Sequence, residues 1–326
     1  MKLDILKCHG SENDFILIDE TSMSHELSDN TRQVLAKTLC CRQSGIGADG
    51  ILYYQYSSVA DCRMRMFNPD GSEAEMCGNG LRCIGRYSVE KVGEGVISVE
   101  TMKAILIAKH GVPIFDGIET YEVEIGPISL SSESLPMINS GNQFIKGIIQ
   151  ELSSSFEFTA ISVPNPHIVT IVDNIDERIV EACGKKSNNS KLFPKGVNVS
   201  FVQKLDKNSL FVMTYERGVG ITNACGTAMS ASAFVSALNH LVSYKDPIKV
   251  FNKGGMVTCL VPDPEAKSLK SIFLSGNSTF EFESTIEVDD INFDLIQRHD
   301  GKLRLKEIEI YANFKEYAET IVGGTH

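Results

Sequence analysis

The chain has no apolar run approaching the roughly 18 residues that a membrane-spanning helix needs, so it reads as a soluble protein. It has no excess of basic residues. The 31 Lys and Arg stand against 42 Asp and Glu, giving a net charge of −11, and no basic run interrupts that balance. A nucleic-acid partner is excluded on this ground, and anionic substrates must be held by local dipoles and a few arginines. It has no G-x-G-x-x-G opening a helix, so Gly45-Ile46-Gly47-Ala48-Asp49-Gly50 is a glycine-rich connection and not a dinucleotide fingerprint. No lysine motif of the pyridoxal type is present, which leaves no cofactor to expect. Cys40-Cys41 lacks a second cluster at ligand spacing, and the interval from Cys77 to Cys83 does not match zinc spacing, so no metal is expected either. The start Met1-Lys2-Leu3-Asp4 opens into a strand pattern and not a signal peptide. Nine cysteines are an odd number in a chain too long to need disulfide staples, which fits a reducing cytoplasm.

What is present is an ordinary globular composition, 42% hydrophobic and 22% charged, over 326 residues, enough for two domains. One short design occurs twice. Phe67-Asn68-Pro69-Asp70-Gly71 runs through Met76-Cys77-Gly78-Asn79-Gly80, and Tyr215-Glu216-Arg217-Gly218 runs through Ala224-Cys225-Gly226-Thr227. In each copy an alternating strand (62–67, 210–215) enters a polar loop that ends in Cys-Gly, a helical pattern follows (81–90, 229–241), and strand signals return. A repeated strand–loop–cysteine–helix–hairpin unit makes the protein two similar halves.

A single Cys-Gly reads most simply as a buried small hydrophobe. Its recurrence in one local grammar favours function. The first amides of a helix have no internal partners and carry partial positive charge, which lowers a thiol pKa there and is ready to hold a carboxylate.

Met76-Cys77-Gly78-Asn79-Gly80-Leu81-Arg82-Cys83 and Glu216-Arg217-Gly218 through Ala224-Cys225-Gly226-Thr227 resemble the paired signatures of the diaminopimelate epimerases. His9-Gly10-Ser11-Glu12-Asn13-Asp14-Phe15, Asn165-Pro166-His167 and Val197-Asn198-Val199 match as well, in the family's order, over roughly residues 1–287. The resemblance implies an α+β fold of two similar half-domains, each a mainly antiparallel sheet wrapped around a central helix. It also implies cofactor-independent, two-base epimerisation of LL-2,6-diaminopimelate to the meso form, a precursor of lysine and peptidoglycan. Cys77 and Cys225 would be the paired base and acid, titrating as one unit, with His167 and Glu216 in support. Asn13, Asn68, Asn165, Asn198, Glu216 and Arg217 would bind substrate, and Gly78, Asn79, Gly226 and Thr227 would supply amides. A homodimer is the family's expected assembly. A racemase acting on another amino acid is the alternative, and a non-catalytic thiol redox or metal protein a remote one.

The expected organisation is a first half at 1–126 carrying Cys77, a Ser/Pro/Asn-rich linker at 127–143, a second half at 144–287 carrying Cys225, and a C-terminal extension at 288–326. Within it, a helix is expected over residues 29–39 with Asp29 as its cap, and a further helical pattern over 314–321. Residues 184–190 read as a polar loop. Two departures from the family stand out: Gly50 where some relatives carry a substrate-binding Gln, and Ile221 where many have Glu.

Overall fold

The computed structural model describes residues 1–138, 141–266 and 271–323. Positions 139–140 of the expected linker, 267–270 of the second half and 324–326 of the extension lie outside the described residues. The chain divides into two compact units, Met1–Val123 with Gly276–Phe314, and Glu124–Ser275 with Lys315–His326.

In the first unit, strand Lys2–Gly10 lies antiparallel to Asn13–Asp19 on one side and to Thr279–Val288 on the other. Asn13–Asp19 runs parallel to Gly50–Gln55, which turns antiparallel into Cys62–Phe67. Cys62–Phe67 pairs in parallel with Val96–Glu100, which continues antiparallel into Ile105–His110. Helix α1 (Asp29–Leu39) connects Asn13–Asp19 to Gly50–Gln55. Helix α2 (Gly78–Val92) packs against strands on several sides and is buried through its first nine residues.

The second unit repeats this wiring. Glu157–Ser162 pairs antiparallel with Pro166–Val172, which runs parallel to Asn198–Asp206. Ser209–Glu216 follows antiparallel, then Ile248–Asn252 in parallel and Gly255–Leu260 antiparallel. Helices α3 (Glu177–Asn189) and α4 (Gly226–Leu238) occupy the places of α1 and α2. Each unit is thus a mainly antiparallel sheet around one central helix. The small residues Ala228, Ser230, Ala231, Ser232 and Ala233 are all buried on α4, as a helix enclosed by strands requires.

The local reasons are legible. Alternation in Cys62–Phe67 puts Cys62, Met64 and Met66 on a buried face. The loop after each of these strands folds back as a short strand, Glu73–Ala74 and Gly220–Thr222. The turns use left-handed glycines, Gly71 at φ 85° and Gly218 at φ 79°, a region closed to most side chains.

Four sequence expectations are corrected. The helix pattern after each cysteine begins earlier, at Gly78 and Gly226, because the cysteine itself is the N-cap residue. The cap of α1 is Ser28, whose side chain accepts from the Thr31 amide; Asp29 is the first helical residue and pairs with Arg32 and Arg65. Residues 184–189 are not loop but the end of α3. There Ser187, Asn188 and Asn189 bond back to the carbonyls of Cys183, Gly184 and Lys185, so polar side chains satisfy the last turn. The helix placed at 314–321 is the longer α5 (Leu305–Gly323), preceded by strands Leu295–Arg298 and Lys302–Leu303 paired to Thr279–Val288. In the segment read as a linker, Leu135 and Met137 are buried in the core of the second unit.

Candidate active site

In the first unit Cys77 has extended backbone, φ −143° and ψ 108°, and caps α2: its sulfur accepts from the Gly80 amide at 3.4 Å. The amides of Gly78, Asn79 and Gly80 therefore cluster at the thiol. Asn13 reaches it from the neighbouring strand, with Oδ1 3.7 Å from Cys77 Sγ and 3.1 Å from Asn79 Nδ2. Its own Nδ2 donates to Asp49 Oδ2 at 3.0 Å. Asn13 follows two left-handed residues, Ser11 at φ 56° and Glu12 at φ 65°. That turn is held open by the Ser11 amide donating to Asn277 Oδ1 at 2.8 Å. Asn68, by contrast, is tied into its own turn, its Nδ2 donating to Ser72 Oγ at 3.0 Å.

In the second unit Cys225 takes nearly the same backbone, φ −131° and ψ 106°, at the N-cap of α4. Here the expectation of a lowered thiol pKa is overturned. Burial pushes the Cys225 thiol up, and the charge of Glu216, to which the thiol is hydrogen-bonded, pushes it further. The Thr227 hydroxyl and the Ala228 amide pull the other way and lose. Desolvation of a full charge outweighs the partial charges of a helix end. Glu216 is itself steadied by the Thr222 hydroxyl at 2.5 Å.

The remaining residues of this half form one chain of contacts. Asn165 Nδ2 donates to Thr227 Oγ1 at 3.2 Å, and Thr227 Oγ1 lies 3.5 Å from Cys225 Sγ. Asn165 Oδ1 lies 2.9 Å from His167 Nε2. His167 Nδ1 is buried without a partner among the described residues. Burial, then the Arg217 charge, lower the His167 pKa to about 3, so the ring is neutral near pH 7. Asn198 Nδ2 approaches His167 at 3.5 Å, and Asn198 Oδ1 accepts the Arg217 amide at 2.9 Å. The Arg217 guanidinium reaches the Lys195 carbonyl at 2.9 Å and its side chain is exposed.

The structure thus gathers Asn13, Asn79 and Cys77 in one half, and Asn165, His167, Asn198, Thr227, Glu216 and Cys225 in the other. The two departures have packing explanations. A Cβ on Gly50 would lie 2.8 Å from the Phe67 carbonyl oxygen, so no side chain fits there without a shift. Ile221 packs against the second unit's core and pairs with Tyr215. Asp49 and Arg42 escaped sequence reading, since nothing in the glycine-rich connection marks one acid as a partner of Asn13. Among the described residues no group of three or more His, Cys, Asp or Glu is placed to hold a metal ion.

A family model described as "Diaminopimelate epimerase" matches residues 5–110 and 159–281. Among similar proteins, a diaminopimelate epimerase of Clostridium acetobutylicum is 43% identical over 318 residues, covering 97% of this chain and 95% of its own. One from Listeria monocytogenes is 40% identical, covering 96% and 97%. Among solved structures, a hydroxyproline epimerase from Agrobacterium vitis with bound trans-4-hydroxy-L-proline superposes with a TM-score of 0.63 at 14% identity, covering 90% and 94%. At that identity the likeness is one of fold.

Proposed function

The chain belongs to the diaminopimelate epimerase family, and on that premise we propose that it converts LL-2,6-diaminopimelate to the meso form with Cys77 and Cys225 as its two proton carriers. The observation that carries the reading is the repeat itself. Two cysteines occupy the same N-cap position, with nearly the same φ and ψ, at the start of the two central helices. Inverting a hydrogen-bearing stereocentre needs a base on one face of the carbon and an acid on the other. Each half supplies one thiol and one set of free helix amides.

One thiolate removes the α-proton while the opposite thiol delivers a different proton. The amides of Gly78, Asn79, Gly226 and Thr227 hold the α-carboxylate and take up charge as the carbanion develops. Cys225 enters the cycle as a thiol, because burial and Glu216 disfavour its anion. It is therefore the proton donor of the first turnover in one direction; that turnover leaves Cys225 as thiolate and Cys77 as thiol, the arrangement the opposite direction requires. His167 cannot be a general acid at neutral pH, since its pKa is near 3. It serves by orienting Asn165, and through it Thr227, against Cys225. Asn13, Asn68, Asn165, Asn198, Glu216 and Arg217 contact the substrate's polar groups, Arg217 suiting a carboxylate fork and Glu216 an ammonium. The same reading places the enzyme in the cytoplasm as a homodimer.

The test is isotopic. In deuterated water, the first product formed carries α-deuterium while unreacted substrate stays protiated, because the donor thiol holds a solvent-derived proton before turnover. Cys77→Ala or Cys225→Ala stops net epimerisation, a loss of at least about 10²–10⁴-fold. Substantial α-protium in early product, or near-normal turnover by either variant, overturns the mechanism; comparable kcat/KM on alanine or proline overturns the substrate.

A further inference from the structure

We propose that Asp49, braced by Arg42, is a positioning residue of this site: it fixes the side-chain amide of Asn13 so that the carbonyl oxygen, and not the NH2, faces Cys77. The inference rests on the reading of Cys77 as a proton carrier for its consequence, but its geometry stands by itself.

The two ends of an asparagine amide have nearly the same shape, so only their partners decide which way it points. Asn13 has three. Asn79 Nδ2 lies 3.1 Å from Asn13 Oδ1, and Cys77 Sγ lies 3.7 Å from the same oxygen. Neither settles the direction. Asn79 is an amide whose own Oδ1 is buried without a hydrogen bond, so the two amides could turn over together and keep their contact. A cysteine both donates and accepts. Asp49 is different, because an ionised carboxylate only accepts. Its Oδ2 receives Asn13 Nδ2 at 3.0 Å, and a reversed amide would set oxygen against oxygen there.

Asp49 is held at both carboxylate oxygens, although its side chain is 43% exposed. Its Oδ2 also accepts the Asp14 amide at 3.2 Å, its Oδ1 takes Arg42 Nη2 at 2.8 Å, and its own amide donates to the Asp14 carbonyl at 2.8 Å. The Asp14 carboxylate beside it is bound by Arg42 and by buried Lys7, so two anions face two cations. His9 and Glu281, 3.9 Å apart, and the Cys40 thiol also lie beside this cluster; burial keeps the His9 pKa down at about 4 and pushes the Cys40 thiol up to about 12.

The result is that Cys77 meets an acceptor whenever it carries the proton, the state it reaches after taking one from the substrate. A turned amide would offer the sulfur a donor and favour the thiolate. Each of the two thiols then has an oxygen acceptor beside it, Asn13 Oδ1 for Cys77 and the Glu216 carboxylate for Cys225. Asp49 sets the polarity of the first without touching sulfur.

The experiment measures alkylation of Cys77 by iodoacetamide against pH in the full-length protein, read from its peptide by mass spectrometry, with Cys225 in the same digest as reference. In Asp49→Ala the Cys77 midpoint falls and its alkylation at pH 7 rises roughly three- to tenfold, while the Cys225 profile stays in place. Asp49→Asn, nearly isosteric, removes the same charge but keeps an oxygen that accepts from Asn13 Nδ2, so its Cys77 midpoint moves less; an equal shift in both variants, as charge loss alone would give, overturns the proposal. An unmoved Cys77 midpoint in a folded variant, or an equal shift at both cysteines, overturns the proposal. Neither readout needs turnover. A protein inert toward diaminopimelate whose Cys77 midpoint still moves would refute the assigned function and leave the positioning role standing.

Discussion

Replacing Glu307 by alanine tests what the C-terminal helix does for the half that carries Cys77. Arg86 lies on α2, nine residues beyond the thiol, with only 4% of its side chain exposed. Its guanidinium meets Glu307 through two bonds of 2.6 and 2.9 Å, and also reaches the Ser278 carbonyl at 2.6 Å and Glu90 at 2.7 Å. It lies 3.9 Å from the centre of the Phe280 ring, and the Phe280 amide donates to Glu307 at 3.1 Å. Removing one partner of a buried pair costs about 3–5 kcal/mol, because the charge left behind stays desolvated. Here Glu90, the Ser278 carbonyl and the Phe280 face remain, so about 2–4 kcal/mol is expected. For a chain of this size that lowers Tm by roughly 3–6 °C. The control is Glu181→Ala, which breaks the pair of Glu181 with Lys185, where the side chains are 49% and 61% exposed. A solvent-screened pair of this kind contributes little, so its Tm change stays below about 1 °C. Differential scanning calorimetry on both variants decides. If Glu307→Ala loses no more than Glu181→Ala, α5 does not anchor the cysteine helix as argued.

Stability should fall on acidification from pH 6.5 to about 4.5. His167 and His9 are held neutral by burial, with folded pKa values of about 3 and about 4 against an ordinary 6.5. Above pH 6.5 neither state binds the protons. Below it the unfolded chain takes them up and the folded protein does not, so each histidine removes up to about 1.4 kcal/mol per pH unit. The window closes above the range where Asp14, held at about 2 by Arg42 and Lys7 against its burial, begins to titrate in the fold. A flat Tm between pH 7.5 and 4.5 would contradict this. Gly184→Ala on α3 should destabilise although alanine is the better helix former. Its Cβ would sit 2.0 Å from Tyr215 Cγ, and crowding of this kind costs about 1–3 kcal/mol. A variant as stable as the parent in thermal unfolding would show that the two elements separate easily.

The internal repeat was legible because each copy is written in local terms. Alternation marks Cys62–Phe67 and Ser209–Glu216, glycines with positive φ mark the turns after them, and Cys-Gly marks where each helix begins. Those signals need only neighbours along the chain. They placed α1 at its observed bounds and put both thiols at helix starts. Where a polar run has two uses, the same signals failed. The residues after Cys183 read as loop, yet their side chains return to carbonyls one turn back and prolong α3.

By itself, then, the sequence determined the two-half organisation, the placing of Cys77 and Cys225 at helix N-termini, and the family. The tertiary structure decided the electrostatics and the direction of each contact. Cys225 has its thiol raised because it is buried beside Glu216, and no local pattern records desolvation. Asn13 points its oxygen at Cys77 because Asp49, 36 residues away, accepts from its nitrogen, and its turn is held by Asn277, 266 residues from Ser11. A period in the sequence specifies which face a side chain takes. Which groups meet it across that face depends on strands brought together from distant parts of the chain, and a hydrogen bond has a direction only when both partners are in place.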